Sequence, residues 1–241
     1  MAKLVKPGQA VKVTLVSHTN DTLRTIAAAY LNMQGNMQHN LYNIGWEQSK
    51  EIFADICKTD IQGAFEFVHF FFQIEGVTRA FQQQLTRTRL AAYSAESLRF
   101  TDVTKKEMQV LAGPSIWEHS LTLQQNAYQE VVDRIEENYV FMVENGMSIE
   151  DARGILPLNV LSKIGMSVSY KTLIHMSRVR MCYQSQPGEW TYVFEAMIQN
   201  IKGKLGKSGE LLASQFGPYC EFSLECPFNS SLDRQCERKI L

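Results

Sequence analysis

Gln84-Leu85-Thr86-Arg87-Thr88-Arg89, followed a few residues on by Ser97 and Arg99, is the stretch best equipped for chemistry. Three arginines fall within thirteen residues there, beside the uncharged donors and acceptors of Gln84 and Ser97. A guanidinium is a planar fork of donors that meets a phosphate two bonds at a time and stays charged at physiological pH. Gln and Ser add groups able to read a base or a ribose. Arg153 and Arg180 supply two further cations, each in a segment with helical apolar spacing. Lys171 and His175 stand four residues apart and share a helix face. Arg180, five beyond His175, is turned about 140° from it. Each charge taken alone also fits an ordinary solvated helix end. Together, five arginines in three segments suit a polyanionic nucleotide better than a metal or a peptide.

Other motifs carry less. Ile201-Lys202-Gly203-Lys204-Leu205-Gly206-Lys207-Ser208 has the ending of a P-loop, but Ile201 stands where the first glycine belongs and no strand precedes it, so a solvated basic turn is expected. Cys220, Cys226 and Cys236 lack zinc-knuckle spacing, and no histidine follows His175, so no metal site is expected. His69 and His119 are single histidines beside apolar residues, better read as satisfied core or surface groups. No Ser–His–Asp or Cys–His arrangement can be placed by spacing.

The elements that must carry these residues are mostly helices. Val11, Val13 and Leu15 alternate with polar residues as in a half-buried strand. Asn20 or Asp21 then offers an N-cap for a helix with Leu23, Ile26, Ala27, Tyr30 and Leu31 on one stripe. A second helix is expected over about 47–57. Phe65 to Ile74 reads as a strand with aromatics on both faces, covered on both sides and ended by Gly76. A short helix over about 78–86 and an irregular polar segment to Phe100 follow. The longest helix is expected over 121–144, with Tyr128, Val131, Val132, Ile135, Tyr139, Met142 and Val143 on one side and Gly146 as C-cap. A short helix carries Arg153 and is closed by Pro157. Two more helices are expected over 169–183 and 190–201, separated by Pro187-Gly188. Few strands and many helices in mixed order indicate an α+β fold, helices packed on a small, mainly antiparallel sheet. Without a Gly-, Ser- or Pro-rich linker, residues 1–241 are expected to form one domain.

Composition narrows the class. The 241 residues are 45% hydrophobic and 20% charged, enough for a sizeable core, and 24 Lys+Arg against 25 Asp+Glu leave a net charge of −1. That balance excludes bulk-charge binding to nucleic acid or a membrane, while leaving room for a local basic pocket. No apolar run reaches membrane-span length, and the first residues lack an apolar signal core. Five scattered cysteines, an odd number, indicate a reducing, cytoplasmic setting without a disulfide framework.

At this point the residues resemble a family. Arg87-Thr88-Arg89, seven residues, then Ser97 is similar to the Arg-His-Arg-x7-Ser signature of the flavin-dependent thymidylate synthases. The resemblance extends to Phe65-Glu66-Phe67, to the run from Ile74 to Ala80 and Gln84, to Ala152-Arg153-Gly154-Ile155-Leu156-Pro157, to Leu173-Ile174-His175 with Arg180, and to the opening around Val13–Thr19 and Ala27–Ala29. It implies a homotetramer with active sites shared between subunits. It further implies FAD as cofactor, methylenetetrahydrofolate as one-carbon donor, NADPH as reductant and dUMP as acceptor, giving dTMP. By position, Gln84, Arg87, Glu96, Ser97, Arg99, Arg153 and Arg180 fall on or beside nucleotide-contacting places. Arg180 matches the arginine set against the pyrimidine edge, where a permanent cation stabilises developing negative charge without a cysteine nucleophile. Arg87, Thr88, Arg89, Ser169, Lys171 and His175 fall on flavin-contacting places.

Departures from the family pattern gather on the flavin side. Thr88 replaces the signature histidine, Phe67 stands at a histidine position, Ser169 at an asparagine, Lys171 at an arginine and Ala95 at a Glu/Gln with Glu96 adjacent. Pro187-Gly188 interrupts a segment that is normally an Ala-Gln-x-Glu-Ile-Arg helix. A changed flavin side with a retained phosphate side leaves two alternatives open: a hydroxymethylase of dUMP or dCMP on the same scaffold, and a nucleotide-binding homologue without turnover. Divergence of this kind would suit a viral or phage enzyme.

Overall fold

The computed structural model describes residues 2–102, 105, 107–113, 116, 122–182, 188–223 and 226. In chain order they form β1 (Lys3–Val5), α1 (Pro7–Ala10), β2 (Lys12–His18), α2 (Thr22–Met33), α3 (Trp46–Cys57), β3 (His69–Thr78), α4 (Arg79–Leu85), β4 (Ala91–Ala95) and β5 (Gln109–Leu111). There follow α5 (Thr122–Glu144), α6 (Ile149–Ala152), β6 (Leu161–Ser169), α7 (Tyr170–Arg180), α8 (Glu189–Leu205) and α9 (Lys207–Ala213).

Alternation builds the principal sheet. Its order is β2-β3-β6-β4, with every neighbouring pair antiparallel, and β1 pairs with β5 as a separate parallel ribbon. Phe70, Phe72 and Ile74 of β3, Ile164, Met166 and Val168 of β6, and Val13 and Leu15 of β2 all turn to one face and are buried. Against that face pack Leu23 and Ile26 of α2, Phe53 and Ile56 of α3, Leu173 and Met176 of α7 and Val193, Phe194 and Met197 of α8. Each fully buried aromatic of this kind contributes roughly 1.5–3 kcal/mol through surface removed from water. The α+β reading with a small antiparallel sheet describes this architecture.

Several expectations need correction. β3 begins at His69; Phe65 and Phe67 lie in a 3-10 turn over Gly63–Phe67. Phe65 is withdrawn from the sheet because its ring packs between Phe53 and Tyr170, at 5.6 and 5.0 Å. The second face of β3 is not covered as expected: Phe71 is half-buried and Gln73 exposed. That face borders a cavity of about 380 Å³ with Glu75, Ser94, Glu96 and Lys163 in its lining. Gly76 does not end the strand but sits at a register shift within it, at φ +70, where an added Cβ would lie 1.9 Å from the Ala10 carbonyl oxygen. The segment expected to be irregular up to Phe100 contains β4, and the strand β6 went unread although it lies between β3 and β4.

Helix ends also differ. Asp21 precedes α2 at φ +47 and makes no side-chain cap; its carboxylate meets Arg24 instead, at 3.2 Å. On α5, Val132 and Tyr139 are buried but Val131 is exposed, so the buried stripe is narrower than the spacing suggests. Gly146, at φ +90, does close it, with Met147 N–H donating to the Met142 carbonyl at 2.9 Å. The 201–208 segment is mostly exposed and basic as expected, but its turn is a single residue: α8 continues to Leu205, Gly206 at φ +54 makes a tight corner, and α9 starts at once. Lys202 and Glu210 close that corner at 3.2 Å. Leu121, Tyr183, Pro187, His119 and Cys236 lie outside the described residues.

Candidate functional site

The described site residues fall into three groups around β4 and β6. The first forms where α4 ends and α7 ends. Thr78 caps α4 by accepting from Phe81 N–H at 3.0 Å, and is itself held by Glu189, whose two carboxylate oxygens accept from Thr78 N–H and hydroxyl, both at 2.7 Å. Burial pushes the Glu189 carboxyl above its ordinary value, against the two hydrogen bonds from Thr78. Gln84 lies in the last turn of α4, and Arg87 and Thr88 in the turn beyond it. Tyr93 of β4 ties that turn down, its hydroxyl 2.9 Å from both the Leu85 and the Thr88 carbonyl oxygen and sharing its one proton between them.

Arg180, the last residue of α7, reaches this turn and donates to the Gln84 carbonyl at 3.4 Å. Its guanidinium carbon lies over the Trp190 ring, 4.3 Å from the centroid. Burial, and then the positive charge of Arg87, draw the Arg180 pKa below its ordinary value, with Tyr93 opposing. Two guanidinium groups close enough to repel, one of them partly desolvated, can together hold an anion.

The second group hangs from the other end of β4. Arg99 meets Glu150 of α6 in a two-bond fork, Nε–Oε1 at 2.8 Å and Nη2–Oε2 at 2.9 Å. Arg153 lies one turn after Glu150, with Nη2 3.8 Å from the same Oε1 and Nε donating to the Glu150 carbonyl at 3.0 Å. Ser97 Oγ accepts from Arg99 N–H at 3.3 Å. Glu96 receives the Ser162 hydroxyl at 3.4 Å, and its backbone N–H bonds to the Lys163 carbonyl at 2.9 Å. Sequence reasoning missed Glu150; the signal available was an acid three residues ahead of Arg153 on one helical face.

The third group gathers at the junction of β6 and α7. Ser169 caps α7, accepting from Thr172 N–H at 3.2 Å while its hydroxyl donates to Glu66. Lys171 Nζ stands 3.7 Å from Glu66, and His175 is exposed one turn further on. Ala91 pairs with Val168, so the chain from Arg87, Thr88 and Arg89 enters β4 beside Ser169. Arg87 to Arg89 therefore adjoins both the first and third groups.

The structure thus brings Gln84, Arg87 and Arg180 together, and Ser97, Arg99 and Arg153 together, but not all six round one point in a single chain. The groups are separated by the five residues of β4, about 14 Å at the usual rise per residue. Burial pushes the Cys57 thiol up to about 11, which leaves little of it as thiolate at neutral pH. Among the described residues no cluster of metal-ligating side chains occurs, and no helix is long and apolar enough to cross a membrane.

Comparison with known proteins identifies a family and a fold. The profile of a family described as thymidylate synthase complementing protein matches residues 14–205. A flavin-dependent thymidylate synthase of Saccharolobus solfataricus is 29% identical over 219 residues, covering 87% of this chain and 78% of that protein. One from Pyrococcus horikoshii is 28% identical over 243 residues, covering 95% of each. Among solved structures, a UMP/dUMP methylase, PolB of Streptomyces cacaoi, bound with 5-Br dUMP, superposes with a TM-score of 0.68 at 18% identity, covering 89% of this chain and 98% of that one. That likeness establishes a shared fold.

Proposed function

The chain belongs to the thymidylate synthase complementing protein family, and we propose that it transfers a one-carbon unit to C5 of dUMP in a flavin-dependent reaction. The donor in this reading is methylenetetrahydrofolate, the reductant NADPH and the product dTMP. The observation that carries it is the pairing of Arg180 with Arg87 and Gln84, together with the fork of Arg99 and Arg153 round one carboxylate.

Each residue then has a task. Arg99 and Arg153, with Ser97, take the 5′-phosphate, whose oxygens replace the Glu150 carboxylate that the two guanidiniums now share. Gln84 and Arg87 orient the nucleoside, and Glu96, beside Ser97 in the second group, adds a hydrogen-bond acceptor. Arg180 faces the pyrimidine edge, where its fixed charge stabilises the anionic ring as C5 becomes nucleophilic. The two arginine groups lie at opposite ends of β4, so one nucleotide engages the second group of a neighbouring copy. This favours a homotetramer with shared sites, each copy a single domain, working in the cytoplasm.

The residues of the third group suit FAD in their chemistry. Arg87, Arg89 and Lys171 offer cations for a pyrophosphate, and Thr88, Ser169 and His175 offer uncharged hydrogen-bonding groups, at the entrance to β4 and the start of α7. When bound, FAD supplies the redox capacity of the reaction. Glu66, now in contact with Ser169 and Lys171, must release them for an anion to take its place.

Incubation of the purified protein with dUMP, methylenetetrahydrofolate, NADPH and FAD, followed by mass spectrometry, tests the reading. The expected product is dTMP. A product one oxygen heavier assigns the hydroxymethyl reaction instead, and dUMP binding without any product leaves only a nucleotide-binding role.

A further inference from the structure

The segment that opens α8 departs from its family's pattern, and the structure shows what stands there. Gly188, at φ +92, turns the chain so that Glu189 and Trp190 begin the helix. Trp190 is only 6% exposed. Its ring is held by Phe81 of α4, with centroids 4.2 Å apart, and by Phe194 one turn along α8, at 6.4 Å. A ring wedged in this way cannot swing, and Arg180 lies over it at 4.3 Å.

We infer that Trp190 is a positioning residue for Arg180, an aromatic shelf that fixes its guanidinium in the charged, correctly aimed state the reaction needs. This rests on the reading of Arg180 given above. Arg180 ends its helix, where backbone restraint is weakest, and its side chain is long and rich in rotamers. The hydrogen bond to the Gln84 carbonyl is long, at 3.4 Å. An indole face attracts a cation through its quadrupole, most strongly when water is excluded. It also occupies one face of the guanidinium. Because Trp190 packs on α4 as well, the same ring couples the aim of Arg180 to the helix that carries Gln84.

A mere core-filling role predicts sensitivity to the size of the side chain alone. The shelf predicts sensitivity to the ring's electron density at constant size. Mono-, di- and trifluorinated tryptophan, placed at position 190 alone, weaken the quadrupole progressively with little change in shape. The expected result is a stepwise fall in the turnover number, about five- to thirtyfold in total, the fold-change equivalent of a desolvated cation–π contact. Nucleotide KM and melting temperature should change little, and Trp190→Leu should lose at least as much turnover as the trifluoro protein. Turnover indifferent to fluorination overturns the inference. A second measurement does not depend on catalysis: the fluorine resonance of the monofluoro protein should shift when Arg180→Gln removes the cation, and an unmoved resonance also overturns the inference. A parent protein that binds dUMP but turns nothing over defeats the functional reading alone, and the resonance still decides whether the shelf exists.

Discussion

Glu150 is the sharpest place to perturb the candidate site, because both Arg99 and Arg153 contact its carboxylate. The pair with Arg99 is geometrically strong, two bonds at 2.8 and 2.9 Å, yet the partners are 53% and 47% exposed. Exposed pairs contribute about 0–1 kcal/mol after solvent screening, and a two-bond fork belongs in the upper half of that range. A 5′-phosphate that takes over the same guanidiniums must displace this contact. Glu150→Gln should therefore tighten dUMP by about two- to fivefold, the equivalent of roughly 0.5–1 kcal/mol. Deoxyuridine, which has no phosphate, should bind as before. The gain should shrink as salt is raised, since half-exposed charges are screened over about 10 Å at 0.1 M. Calorimetric titration of both ligands at low and high salt measures all of this. A tenfold loss of dUMP affinity, or an equal change for deoxyuridine, would mean that Glu150 holds the ligand rather than competes with it, and the reasoning would fail.

Three further outcomes follow from the same geometry. Gly76→Ala forces a left-handed residue and drives a Cβ to 1.9 Å from the Ala10 carbonyl oxygen, so it should destabilise the fold by well over ~1 kcal/mol in thermal melts; a melting temperature equal to the parent's would contradict this. Glu189 has a folded-state carboxyl raised by burial, so its contribution to stability should decline as pH climbs upward from about 4.5, and Glu189→Gln should lack that component; an opposite slope in the difference between the two curves refutes the assignment. The Cys57 thiol, at about 11, should be alkylated more slowly at pH 8 than an unperturbed cysteine, and site-resolved mass spectrometry showing it labelled first would argue against its burial.

What the sequence disclosed depended on how strongly each segment was patterned. β2 and α2 were legible because Val13 and Leu15, then Leu23, Ile26, Ala27 and Leu31, repeat at the periods of a strand and a helix. β6 was not, although its neighbours in the sheet are β3 and β4. Its buried residues Ser162, Ile164, Met166 and Val168 alternate properly, but Gly165 and serines dilute the apolar signal, and the segment follows a proline-closed turn. β4 is mostly alanine and serine beside the arginines and looks like loop for the same reason. Phe65 has the aromaticity of a strand residue, but it serves the Phe53–Tyr170 contact in the helical layer.

The candidate site was readable to the extent that guanidiniums announce themselves. Arg87, Arg99, Arg153 and Arg180 stood out by type and by spacing. Their partners did not: Glu150 looked like an ordinary first-turn acid, and Trp190 like a helix-start aromatic. Nothing in spacing says that α7 ends over the α4 turn, because that depends on the register of β6 against β3 and β4. Nor does spacing separate the arginines into two groups at opposite ends of one short strand.

In the proposed reaction, arginines from separate segments serve one 5′-phosphate. Titration calorimetry of dUMP and deoxyuridine, side by side on the parent and on Arg99→Ala, tests that most directly. The account predicts that the parent prefers dUMP by about 2–3 kcal/mol, typical of charge-assisted hydrogen bonds, and that the preference narrows sharply in the variant. Equal affinities for the two ligands, or a preference that survives the loss of Arg99 intact, would contradict it.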